Sequence, residues 1–177
     1  SGGLCHLLTG LSRLERLPLA RGSTFQDGFL GGSAFPPVLA PLTSLTFSCM
    51  DVACGGVNDL CELLVRLPTL TELSINSLVV SWMNLNKIGL RIARLPALTE
   101  LNINKFGYVY ALRNLVPWLG HCKEIRVLKM QEIGLTLPEV FMVVATVSAC
   151  THLTELDISE TMSARVIVER EQAGALA

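Results

Sequence analysis

The sequence predicts an α/β fold, a right-handed horseshoe solenoid of six ~28-residue repeats, with a parallel sheet on its concave face and helices on its convex face. Three observations predict it. One phrase is written three times, as LTELSINSL from Leu70, LTELNINKF from Leu98 and LTELDISET from Leu153. Beneath it an apolar frame, L-x-x-L-x-I with substitutions, occurs six times, its first position falling on Leu14, Leu42, Leu70, Leu98, Ile125 and Leu153 at spacings of 28, 28, 28, 27 and 28 residues. Between the frames the apolar residues change rhythm, from every second residue to every third or fourth.

The strand follows from the frame. Its second position is Leu17, Leu45, Leu73, Leu101, Leu128 and Leu156, and its third is Leu19, Phe47, Ile75, Ile103, Met130 and Ile158. Polar residues alternate with these two columns, as in a short strand with one buried face. The helix follows from the other half of each period. Leu60, Leu64 and Leu67 precede Leu70 by ten, six and three residues, and Ile88, Ile92 and Leu95 repeat the pattern. Leu115, Leu119 and Cys122 do so again, then Val143, Val147 and Cys150. Such spacings place side chains on one helical stripe. Asn58 or Asp59 is the expected N-cap of the first of these helices, and Pro68 and Pro96 are expected to stop two of them. Neither half buries its apolar face alone, so stacking of neighbouring units is what the repetition serves. A strand, crossover and parallel strand turn right-handed, and six strands make a sheet about 24 Å across.

At this point the residues resemble a known family. The 28-residue period, the L-x-x-L-x-I strands and the amphipathic helices resemble the leucine-rich repeats of the ribonuclease-inhibitor-like subclass. HCKEIRVLKM and ACTHLTELDI resemble its cysteine-containing variety, with Cys122 and Cys150 three residues before the strand frame. The resemblance covers Leu4 to about Met162 and implies one repeat domain over residues 1–177, with 163–177 as a C-terminal cap or tail. It also implies a scaffold or adaptor that binds another protein. Many such repeats carry Asn or Cys three or four residues after the strand; here Gly22, Met50, Leu78, Phe106, Ile133 and Thr161 stand three residues on. An apolar turn is expected instead.

Composition narrows the function. Half of the 177 residues are hydrophobic, 16% are charged and the formal net charge is −1. That excludes a disordered chain and lacks the basic excess of a nucleic-acid or anionic-membrane binder. The longest apolar window, Val140 to Val147, is far shorter than the ~20 residues of a spanning helix, and no secretory leader is evident. With cysteines expected to be reduced, a cytoplasmic location is predicted, a nuclear one being equally compatible.

No catalytic or metal site is predicted, and no cofactor. Cys49, Cys54 and Cys61 fit no paired metal-ligand spacing. His121 and His152 lie beside Cys122 and Cys150, but the cysteines belong to the inward column and the histidines do not. Gly2-Gly3, Gly31-Gly32 and Gly55-Gly56 lack the Lys-Ser/Thr of a phosphate loop and are expected in turns. Trp118 is expected in the core; Trp82 falls in the segment after the strand, where an exposed anchor is the less favoured of its readings. His6 is expected in solvent.

The candidate site is the polar face of the sheet, read as columns because the register is known. One column gives Arg16, Ser44, Glu72, Glu100, Val127 and Glu155; the next gives Pro18, Thr46, Ser74, Asn102, Lys129 and Asp157. The column after the strand gives Ala20, Ser48, Asn76, Asn104, Gln131 and Ser159, flanked by Arg21, Lys105, Glu132 and Glu160. From these the expected partner-binding set is Glu72, Ser74, Asn76, Glu100, Asn102, Asn104, Lys105, Lys129, Gln131, Glu155 and Asp157. Amides pair with peptide groups and carboxylates favour a basic segment, so another protein is the expected partner. Nucleic acid, membrane and small-molecule substrate are not expected. The alternatives keep the fold: a substrate-receptor or sensor segment of a larger F-box or immune-receptor type protein, or a regulator of a GTPase. A plain solvated sheet face is the competing account of the same columns.

Overall fold

A computed structural model describes residues 15–19, 41–48, 54–77, 82–105 and 112–159. Along these run β1 (Arg16–Leu19), β2 (Ser44–Ser48), α1 (Cys54–Val65), β3 (Glu72–Asn76), α2 (Trp82–Ile92), β4 (Glu100–Asn104), α3 (Leu112–Leu119), β5 (Val127–Lys129), α4 (Leu137–Val147) and β6 (Glu155–Asp157). The fold is α/β. Its six strands form one parallel sheet in the order of the sequence, β1 to β6. The register sets Leu17, Leu45, Leu73, Leu101, Leu128 and Leu156 on successive strands opposite one another, and Phe47 opposite Ile75 opposite Ile103.

Burial explains why these columns are leucine and isoleucine. Leu45, Leu73, Leu101 and Leu128 are fully enclosed, as are Leu64, Leu67 and Leu70. The helical stripe meets the strand columns in a single apolar cluster that extends from Leu42 to Cys150. At about 25 cal/mol per Å², a fully buried leucine contributes roughly 1.5–3 kcal/mol, so one polar substitution in this spine outweighs several surface contacts. The helices touch in chain order, α1 on α2, α2 on α3 and α3 on α4.

Sequence expectations meet four corrections. The helix α1 starts at Cys54, so Asn58 and Asp59 sit in its second turn and neither caps it. Its glycines, Gly55 and Gly56, lie inside the helix rather than in a turn. Trp82 is the first residue of α2, not part of a loop. Trp118 is half-buried rather than core: its indole N–H donates to Asn86 Oδ1 at 2.7 Å across the α2–α3 groove. The ring fits there because Gly89 has no side chain, since a Cβ at that position would come within 2.5 Å of Trp118 Cδ1.

Two strands are also shorter than the frame suggests. β5 and β6 end at Lys129 and Asp157, one residue before Met130 and Ile158. Met130 is nonetheless fully buried, and its N–H donates to the Asp157 carbonyl at 2.7 Å. The helices stop as proline requires: after Val65 and Ile92 the chain closes with i to i−3 bonds from Arg66, Leu67, Arg94 and Leu95, and Pro68 and Pro96 bring no N–H to continue them. Leu14, Cys49, the 163–177 segment and the turn positions Gly22, Met50, Leu78, Phe106 and Thr161 lie outside the described residues, as do His6, Arg21 and Glu160. Of the expected apolar turn, Ile133 is described, and it is buried.

Candidate functional site

The polar columns lie on the sheet face opposite the leucine columns. In β4 the alternation is complete, with Leu101 and Ile103 buried and Glu100, Asn102 and Asn104 half-exposed. In β3 Glu72 and Asn76 are half-exposed and Ser74 is buried beneath the Asn76 amide, which donates to Ser74 Oγ at 3.0 Å.

Two side-chain ladders cross this sheet, and only one of them draws on residues expected at the site. At the exit of the strands, Asn104 Nδ2 donates to Asn76 Oδ1 at 3.2 Å and Asn104 Oδ1 accepts the backbone N–H of Gln131 at 2.9 Å. The Gln131 amide continues the series, donating to Asp157 Oδ2 at 2.5 Å and to Ser159 Oγ at 3.4 Å. Asn76, Asn104, Gln131 and Asp157 were expected to be open to a partner, but their strongest polar groups are turned to one another. They hold the rungs in register.

The residue after each of three ladder positions is left-handed: Ser77 at φ 54°, Lys105 at φ 59° and Glu132 at φ 54°. That conformation disfavours ordinary L side chains. It aims each N–H at the next rung, where it meets the carbonyls of Asn104, Gln131 and Ser159. Lys105 and Glu132 close the pattern with an exposed ion pair at 3.1 Å.

The second ladder was missed by sequence reasoning. At the entrance of the strands the hydroxyls of Thr43, Thr71, Thr99 and Thr154 donate to the carbonyls of Glu15, Thr43, Thr71 and Arg126, at 3.0 to 3.2 Å. The signal was present, since threonine is the second letter of LTEL. In the fifth unit Arg126 takes its place, and the Thr99 carbonyl accepts two backbone N–H groups without a hydroxyl.

The charges separate into spent and unspent. Lys129 pairs with Glu155 at 3.4 Å. Asp157 takes the Ser159 backbone N–H at 2.9 Å, and that bond, with the Ser159 hydroxyl, Gln131 and Lys129, holds its carboxyl below the ordinary value of 3.8. Glu72 and Glu100 differ. They are register partners on neighbouring strands, which places like charges about 4.8 Å apart along the sheet. Among the described residues no cation forms an ion pair with either. Asn102 Nδ2 donates to Glu100 Oε1 at 3.1 Å, while the enclosed Asn102 Oδ1 has no donor.

Elsewhere the polar groups are structural. Glu139 is 2% exposed and receives the Thr136 N–H at 2.9 Å, the Thr136 hydroxyl at 2.6 Å and Arg113 Nε at 3.3 Å. It closes a capping box at the start of α4 and ties it to α3. The thiols of Cys122 and Cys150 are buried and donate to the Trp118 and Leu119 carbonyls. Burial pushes the Cys122 thiol up to about 12, helped by the neighbouring Cys150. His121 and His152 are exposed, with the His121 ring tilted against Trp118. A cleft of about 250 Å³ between α1 and α2 is lined by Asn58, Cys61, Glu62, Lys87, Leu90 and Arg91. Burial pushes the Cys61 thiol up, against the pull of Arg91. Among the described residues, no group of three or more His, Cys, Asp or Glu is placed to hold a metal ion, and no helix is long and apolar enough to cross a membrane.

The chain matches no protein-family model, no curated protein and no solved structure.

Proposed function

We propose that the chain is a right-handed leucine-rich-repeat solenoid of six units, a non-catalytic protein-interaction module whose polar sheet face takes a basic stretch of another polypeptide. The observation that carries this reading is the Glu72–Glu100 pair. Like charges side by side on paired strands destabilise a sheet by some tenths of a kcal/mol, and among the described residues no cation forms an ion pair with either. A lysine or arginine from a partner offsets them directly. The 27- and 28-residue spacing and the in-line leucine columns support the repeat architecture. The residues most available to a partner are Glu72 and Glu100; the Asn76–Asn104–Gln131–Asp157 ladder shapes the floor beside them.

The test uses fluorescent eight-residue peptides, about the length of extended chain that crosses a 24 Å sheet. Lysine- and arginine-bearing peptides should bind, more weakly as salt is raised, and acidic peptides of the same length should not. Glu72→Gln with Glu100→Gln should lower that affinity at least tenfold while leaving the melting temperature equal or slightly higher. Equal binding of basic and acidic peptides, or unchanged binding by the double variant, removes the proposal.

A further inference from the structure

The grooves between neighbouring described helices are finished differently, and the repeat lets them be compared place by place. Asn58 and Asn86, and likewise Cys61 and Gly89, stand 28 residues apart, and Arg91 and Trp118 stand 27 apart, which are the spacings of their units. In the α2–α3 groove the Trp118 indole lies against Gly89 and donates to Asn86. Across the α3–α4 groove Arg113 is matched by Glu139 at 3.3 Å. The α1–α2 groove has neither closure. Arg91 stands where the indole stands one unit later, its guanidinium hydrogen-bonded to the Cys61 sulfur. A cleft of about 250 Å³ remains, and Lys87, one turn earlier on α2, also lines it.

Donors dominate this cleft. Among the described residues no carboxylate forms an ion pair with Lys87 or Arg91. Glu62, on the facing wall, is held by Arg66 at 2.9 Å. Asn58 Oδ1 accepts Lys87 Nζ only at 3.5 Å, and a thiol sulfur is a weak acceptor for Arg91. Arg91 is half-buried, so its charge is screened less than one in open solvent.

We propose that the α1–α2 cleft binds a phosphate monoester, with Lys87, Arg91 and the Asn58 amide on its oxygens and Leu90 against its carbon group. Donor placement, charge and size select that chemistry. Lys87 and Arg91, four residues apart, share one helix face with about 5–6 Å between their Cβ atoms. Asn58 reaches in from the other helix, so the donors converge from two sides. A phosphate monoester offers three terminal oxygens and nearly two negative charges at neutral pH, whereas a single guanidinium fork already satisfies a carboxylate. The volume lies below the ~300–1,000 Å³ of pockets for drug-sized ligands, and Leu90 supplies a small apolar wall. The cleft is on the helical side, away from the polar sheet face, so the inference is independent of the basic-peptide reading.

Amide NMR of the intact chain tests it, with phenyl phosphate and a short phosphoserine peptide as the two probes. Shifts should concentrate at residues 58, 61, 87, 90 and 91 and leave β3 and β4 unmoved. A response to phenyl phosphate alone assigns the cleft to a small-molecule ester; a response to the peptide assigns it to a phosphorylated side chain. Benzyl alcohol and the unphosphorylated peptide should give none. Lys87→Gln, and separately Arg91→Gln, should weaken binding at least tenfold with little change in melting temperature, and Lys87→Arg should largely restore it. Benzoate binding as tightly as phenyl phosphate overturns the proposal, as does unchanged affinity in both glutamine variants. So does the absence of shifts at these residues with both phosphorylated probes in large excess.

Discussion

Cys122 shows how a single residue of the spine behaves. Its thiol lies 3.6 Å from the Trp118 carbonyl in an apolar setting, and burial moves its ionisation from 9.0 up to about 12. A raised folded-state value means that the native state keeps a proton the unfolded chain loses. The associated stability is therefore intact below pH 9 and is lost as pH climbs from 9 toward 12. Urea unfolding at pH 7 and pH 10 should show the parent chain losing on the order of 1 kcal/mol more than Cys122→Ala; equal losses would contradict the burial argument. The inward place of this cysteine was legible, because it shares a column with Leu67 and Leu95. That of Trp118 was not. Its seat depends on Gly89, twenty-nine residues away, and no local pattern reports that an absent Cβ makes room for an indole.

Among the elements, the strands carry the clearest division of labour. Their buried columns hold the sheet to the helices, and the two side-chain ladders hold each rung to the next. Asn104 is central to the exit ladder because both ends of its amide are engaged. Asn104→Ala should cost roughly 1–3 kcal/mol, since it leaves a backbone N–H and a neighbouring carbonyl unpaired. Asn102→Ala, one pleat away on the same strand and bonded only to Glu100, should cost under about 0.5 kcal/mol. Comparable losses of melting temperature for the two would refute the ladder. Strand positions were readable because burial repeats with period two. The left-handed turns at Ser77, Lys105 and Glu132 were not, because none of the three is glycine or asparagine. The threonine ladder stood in plain view within LTEL, yet threonine reads equally well as strand surface. At α1 the paired glycines suggested a turn, but Val57, Leu60 and Leu64 extend the apolar stripe and carry the helix back to Cys54.

At the scale of the whole molecule, the parallel order and the in-line leucines follow from a repeat the sequence states openly. The polar face was harder to anticipate. Column reading found its residues but assumed that each side chain is free. In the structure Lys129 is matched by Glu155 and the amides by one another. What remains is a narrow acidic strip at Glu72 and Glu100, on the middle two strands of the sheet. The most direct measurement is a backbone amide NMR titration of the intact chain with a lysine- and arginine-bearing peptide. Shifts should concentrate at residues 72, 74, 100, 102 and 127 to 129, leave α1 and α2 unmoved, and vanish in the Glu72→Gln, Glu100→Gln variant. Shifts confined to the helices, or absent at saturating peptide, would contradict a binding face on the sheet.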